Sequence, residues 1–189
     1  MINQHAVNQI NDLYSNIDDV FTRRNAVFTN NVTRYLELKG LLHQVNVSQD
    51  PYFQSRFTYF YGLNHISANR RGAFYQKFEE IKNAPDRINV RELTEQLAEP
   101  LGKQFFSFCS KMANLIDDER YPIYDSHIAE VFHRPGLGYG VDYKANLYQD
   151  VIDTYGDLID HPLIELFRTR FHAGEMGYMK VLDALFWAI

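Results

Sequence analysis

Apolar side chains recur at three- and four-residue intervals along almost the whole chain. Ile2, Ala6, Ile10, Leu13 and Ile17 open the pattern, and Val20, Phe21, Val27 and Phe28 carry it on. Val32, Tyr35, Leu36 and Leu38 form a further set that stops near Gly40. This spacing gathers the apolar positions onto one stripe of a helix, which is buried against a neighbour. The polar stretch QVNVSQDP predicts a loop, and Asp50-Pro51 predicts a helix start, since proline's missing N–H costs nothing in a first turn. YFQSRFTYFYGL then reads as an aromatic, buried helix ending at Gly62.

The second half keeps the same period. NHISANRRGAFYQKFEEIKN predicts a turn followed by an amphipathic helix with Ala73, Phe74, Phe78 and Ile81 facing inward, and APDRIN breaks it. VRELTEQLAEP predicts a short helix stopped by Pro100, with Gly102 opening the next through Phe105, Phe108, Met112 and Leu115. Asp125 starts the segment SHIAEVFH, which stops before Pro135, and RPGLGYG is a glycine-rich turn. Three helices remain, from Tyr143 to Leu158, from Pro162 to Phe171 and from Glu175 to Ala188. No period-two alternation lasts long enough for a sheet. The expected architecture is all-α, a compact multi-helix arrangement of about nine or ten helices. We read residues 1–189 as one globular domain, divisible into two lobes in which 1–50 and 135–189 pack around 51–134.

Composition narrows the function classes. Fourteen Phe and thirteen Tyr supply rings that fill cores between helices or stack on bases and sugars. Cys109 is the sole cysteine, so one chain holds no disulfide and no four-cysteine metal site, which suits a reducing cytoplasm. His127 and His133 stand six apart without an H-E-x-x-H arrangement, and no metal or other cofactor is expected. Neither a phosphate-cradling G-x-x-x-x-G-K-[ST] loop nor a dinucleotide fingerprint is present, which leaves nucleotide hydrolysis without support. Apolar runs are too short for a membrane span, and the N-terminus lacks the order of a signal peptide. A net charge of −5 runs against a nucleic-acid partner unless the cations are segregated; Arg23-Arg24 and Arg70-Arg71 are the only adjacent basic pairs.

The stretch with most chemistry is SKMANLIDDERYPIYDSHIAEVF, from Ser110 to Phe132. Lys111-Met112-Ala113-Asn114-Leu115-Ile116, a short connection, and then Ile123-Tyr124-Asp125-Ser126-His127-Ile128 resemble the signature of the helix–hairpin–helix DNA glycosylases. These have the 8-oxoguanine glycosylase-like and endonuclease III-like fold. The resemblance covers roughly Phe57 to Arg134, mostly in the order of its elements rather than in identities. Where the family has a Gly-x-Gly turn before the lysine, this chain reads FFSFCS, and its lysine-to-aspartate connection is shorter.

The resemblance implies a Schiff-base nucleophile at Lys111 and a catalytic carboxylate at Asp125. It further implies duplex DNA with a flipped base as partner. Asn64, His65 and Asn69 would lie in the wedge turn, Arg70 and Arg71 on phosphates, and Tyr124 and His127 beside the base. The chemistry needs such groups. Breaking an N-glycosidic bond builds positive charge at the sugar C1′, which a nearby carboxylate stabilises, and an amine attacks only when deprotonated. The target base must leave the stack to be reached.

Each residue also has a plainer reading. Asp125 is a good N-cap, and Lys111 reads equally as a solvated helix residue. Asn64, His65 and Asn69 suit a simple turn after Gly62, while Arg70 and Arg71 suit an exposed basic pair. Tyr121 and Tyr124 suit core packing, and His133-Arg134 a helix C-terminus. Trp187 reads as an anchor for the last helix and Cys109 as buried and inert. Two other functions stand beside excision. One is a non-catalytic helical scaffold that binds nucleic acid or protein. The other is a HEPN-type ribonuclease using Arg120 and His127, a pair whose helix Pro122 interrupts.

Overall fold

A computed structural model of the chain describes residues 1–63, 66–132 and 140–189, apart from the side chains of Ala68 and Asn69. Every regular element among the described residues is helical. The order is α1 (Gln4–Ser15), α2 (Ile17–Arg23), α3 (Asn25–Leu42), α4 (Pro51–Tyr61), α5 (Ala68–Lys82), α6 (Val90–Leu101), α7 (Phe106–Ile116), α8 (Ser126–Val131), α9 (Val141–Asp157), α10 (Pro162–Phe171) and α11 (Tyr178–Phe186). A single 3-10 turn, Pro85–Arg87, joins α5 to α6 where APDRIN breaks the pattern.

Local chemistry sets most boundaries. Asn3 caps α1 by accepting the Ala6 N–H, and Asp50 caps α4 by accepting the Phe53 N–H at 2.6 Å. Gly62 ends α4 in the left-handed region at φ 69°, where a side chain would be strained. Two expected boundaries move. α3 runs past Gly40 to Leu42, because Leu38 and Leu42 both bury on the same face. Pro100 lies inside α6, and Gly102, at φ 70°, closes that helix instead of opening the next.

Rings fill much of the interior. Phe21, Phe28, Phe167 and Phe171 join α2, α3 and α10 largely through edge-to-face contacts. Phe53, Phe57, Phe74 and Phe78 do the same for α4 and α5. Burying each such side chain is worth about 1.5–3 kcal/mol.

α7 is buried along most of its length. Eight of its eleven residues are buried, so Lys111 occupies one of the few positions from which a side chain can leave the core. The 117–125 connection is pinned from below: Asn114 Nδ2 donates to Tyr121 O at 2.7 Å, the Tyr124 N–H donates to Ser110 Oγ at 2.9 Å, and Tyr148 OH donates to Pro122 O at 2.9 Å. Those bonds fix where Asp125 stands relative to α7. Asp118, only 3% exposed, locks the same connection to the rest of the fold. Its carboxylate accepts from Tyr35 OH at 2.8 Å, Lys39 Nζ at 2.8 and 3.0 Å, and the Gly177 N–H at 2.9 Å. Gly177 has to be glycine, since a Cβ there would collide with the Asp118 carbonyl.

Among the described residues no helix is long and apolar enough to cross a membrane.

Candidate functional site

Lys111 and Asp125 line the same cavity. It has a volume of about 550 Å³, and its walls come from α3, the end of α4, α7, the 123–125 segment and α11. That size falls in the range of small-molecule sites, roughly 300–1,000 Å³.

Lys111 is half-buried. Its amino group makes one long hydrogen bond, donating to Tyr61 O at 3.4 Å, and lies 5.6 Å from the Phe108 ring centroid and 6.0 Å from that of Tyr61. Burial among these rings pushes the amine below its ordinary pKa, while the Asp125 and Asp183 carboxylates oppose the shift. A lysine eased toward its neutral form is a better nucleophile.

Asp125 is both a cap and a cavity wall, so its two readings coincide. One oxygen accepts the Ile128 N–H at 3.0 Å, which starts α8, and the other accepts Trp187 Nε1–H at 3.1 Å. Two fixed donors hold the carboxylate in one orientation.

The cavity contains groups that the sequence reading did not single out. Lys180 and Asp183, both buried, face each other one turn apart on α11 at 2.5 Å. Burial raises the Asp183 carboxyl above its usual range, against the pull of the Lys180 ammonium. Asp183 Oδ1 and Tyr61 OH have no hydrogen-bond partner among the described residues, an unusual condition for buried polar atoms. Lys180 also lies over the rings of Tyr35 and Phe60, at 5.4 and 5.9 Å. The sequence did carry a signal for this pair: two opposite charges three residues apart in the otherwise apolar YMKVLDALF. Arg24, Arg34 and Trp187 complete the opening.

Among the described residues, the remaining candidates do not line the cavity. Tyr124 is buried, its ring 5.1 Å from Phe106. His127 bonds Phe186 O through Nε2 at 2.8 Å and sets its ring 5.0 Å from Trp187, so it braces the end of α11. Arg70 donates to Leu101 O at 3.0 Å and occupies the space beside Gly102, serving the C-terminus of α6. Arg71 lies one position on, partly exposed on α5. Asn64, His65, His133 and Arg134 fall outside the described residues, as does the side chain of Asn69. Arg120 pairs with Asp117 and Asp86 at the surface, and neither Arg120 nor His127 lines this cavity. Cys109 is buried, and burial pushes its thiol up to about 11, which leaves it unreactive.

No group of three or more His, Cys, Asp or Glu among the described residues could hold a metal ion. Comparison of the chain with protein-family models, curated proteins and solved structures gives no match, so the likeness to the glycosylases rests on the residues from Lys111 to Ile128 themselves.

Proposed function

We propose that this protein is a DNA glycosylase that cleaves the N-glycosidic bond of a modified or mispaired base, with a lysine-dependent lyase step. The observation that carries the reading is the convergence of Lys111 and Asp125, on different elements, at one aromatic-walled cavity. A nucleophilic amine poised beside a fixed carboxylate is the pair that glycosidic cleavage needs.

In this reading an extruded nucleotide enters the cavity with C1′ facing Lys111. The neutral amine attacks C1′, and the bond to the base breaks with its electron pair leaving on the base nitrogen, which then takes up a proton. Asp125 offsets the positive charge that develops on the sugar during this exchange. The amine's extra proton departs, the sugar ring opens as O4′ is protonated, and an iminium links Lys111 to C1′. Loss of the 2′ proton and expulsion of the 3′ phosphate complete the lyase step, and water releases the amine.

Borohydride reduces that iminium to a stable amine, so the test is direct. Incubated with abasic-site DNA and borohydride, the protein should form a covalent adduct whose modified peptide contains Lys111. Lys111→Ala should abolish it. An adduct that persists in Lys111→Ala removes Lys111 from the role. Absence of any adduct from the unmodified protein removes the lyase step, and absence of base release as well removes the glycosylase.

A further inference from the structure

The mouth of the cavity differs from its floor. Tyr59 and Trp187 are 68% and 52% exposed there, and Arg24 and Arg34 stand beside them. The Arg34 guanidinium lies 5.2 Å from the Tyr59 ring centroid, and Arg24 Nη1 donates to Trp187 O at 3.2 Å. The Tyr59 ring therefore has a guanidinium against it, while Arg24 is held by the Trp187 backbone. Among the described residues neither guanidinium meets a carboxylate, whereas Arg23, Arg56, Arg91, Arg120 and Arg168 all do. Arg24 donates through one nitrogen to a backbone carbonyl, and Arg34 acts only at longer range on Glu37, a carboxylate that Arg56 and Tyr52 already engage. Both guanidinium groups therefore keep donors for an external anion.

Charge is segregated at this place. The cavity lining carries four cations (Arg24, Arg34, Lys111, Lys180) and two carboxylates (Asp125, Asp183), a surplus of two positive charges within a chain of net charge −5. Arg24 is the N-cap of α3 and Arg34 lies near the middle of that helix, and both line the cavity. Ten residues at 1.5 Å rise separate them by about 15 Å. That is about four stacked nucleotides at 3.4 Å each.

We infer that this rim binds a polynucleotide strand, with Arg24 and Arg34 on phosphates several nucleotides apart and Tyr59 and Trp187 stacked on bases beside the opening. The inference deepens the excision reading and rests on it for the orientation of the strand. The partner's chemistry follows from the rim's. Guanidinium groups meet phosphate oxygens in bidentate fashion, and aromatic faces take any base. An acidic peptide would satisfy the arginines and leave both rings in water.

Trp187 is the only tryptophan, so emission excited on the long-wavelength side of the tyrosine band reports on the rim. Titrating the full chain with a single-stranded oligonucleotide should quench it. A backbone polymer made wholly of abasic sites should bind more weakly and leave the emission unchanged. Followed by anisotropy of a labelled oligonucleotide, Tyr59→Ala and Trp187→Ala should each weaken binding about tenfold. Arg24→Ala and Arg34→Ala should each reduce the slope of log K against log salt by about 0.7, and Arg34→Lys should restore it. An unchanged slope in the double arginine variant, or equal quenching by the base-free polymer, overturns the rim. The two proposals fail separately. A Lys111 adduct with undiminished binding by the rim variants removes the rim alone, whereas rim-dependent binding without base release or adduct removes excision alone.

Discussion

Two lysine–aspartate pairs lie against Tyr35, and they are built to opposite standards. Lys39 and Asp118 are saturated: the carboxylate accepts four hydrogen bonds from three residues, and Lys39 also donates to Glu175 O at 2.7 Å. Lys180 and Asp183 meet through one oxygen only, and the other carboxylate oxygen is orphaned. Lys111, close by, has a single long hydrogen bond. The same residue types therefore serve two ends. The saturated pair fastens the 117–125 connection to α3 and to the start of α11. The undersupplied cluster leaves capacity for a ligand, because a donor brought to the orphaned Asp183 oxygen would recover part of its desolvation cost.

The largest expected contrast is in stability. Asp118→Ala strands the Lys39 ammonium, the Tyr35 hydroxyl and the Gly177 N–H together, and should cost about 3–5 kcal/mol, measured by urea unfolding. A loss below about 1 kcal/mol, the scale of an exposed ion pair, would erase the distinction between the two clusters.

Asp125→Asn separates capping from chemistry. Asparagine keeps the cap to the Ile128 N–H and gives up only the exposed bond from Trp187 Nε1, so stability should stay within about 1 kcal/mol of the unmodified protein. Base release should fall about 10²-fold or more, because the charge that opposes the developing cation is gone. Retained activity in a well-folded Asp125→Asn would leave Asp125 as a cap and no more.

The smallest effect is a slope. Burial makes the folded Lys111 amine harder to protonate than the unfolded one, whose ordinary value is near 10.5. Between the lowered value and 10.5 the unfolded chain binds more protons, so folding stability contributed by this site rises with pH. Lys111→Met should remove that rise. The difference between the two proteins' urea midpoints over a series of alkaline pH values isolates it from the buried tyrosines, which titrate in both. Parallel midpoints would mean that Lys111 is as solvated as the lysines at the surface.

The sequence was most legible where one residue decides a local conformation. Asp50-Pro51, Gly62, Asp125 and the 3.6-residue stripes all act within a turn of chain, and the structure places helices at each. Gly102 was read in the wrong direction, because glycine permits a left-handed ending as readily as it interrupts a run, and only Leu101 and the Arg70 guanidinium beside it show which applies. Lys111 and Asp125 could be singled out by their spacing and resemblance. Of the two adjacent basic pairs, Arg70 is engaged by the end of α6, whereas Arg24 lines the cavity together with Arg34, ten positions on. Adjacency marks both pairs alike in a sequence, and only the packing separates them.

By itself the sequence determined the all-helical class, most helix ends and the two side chains around which a site could form, since each depends on short-range sterics, capping and periodic burial. Tertiary structure alone decided which charges are spent and which are spare. Lys39 with Asp118 and Lys180 with Asp183 look alike in composition, and the difference lies in how many donors reach each carboxylate from α3, α11 and the loop before it. That number is set by packing between segments far apart in the chain, and no local pattern records it.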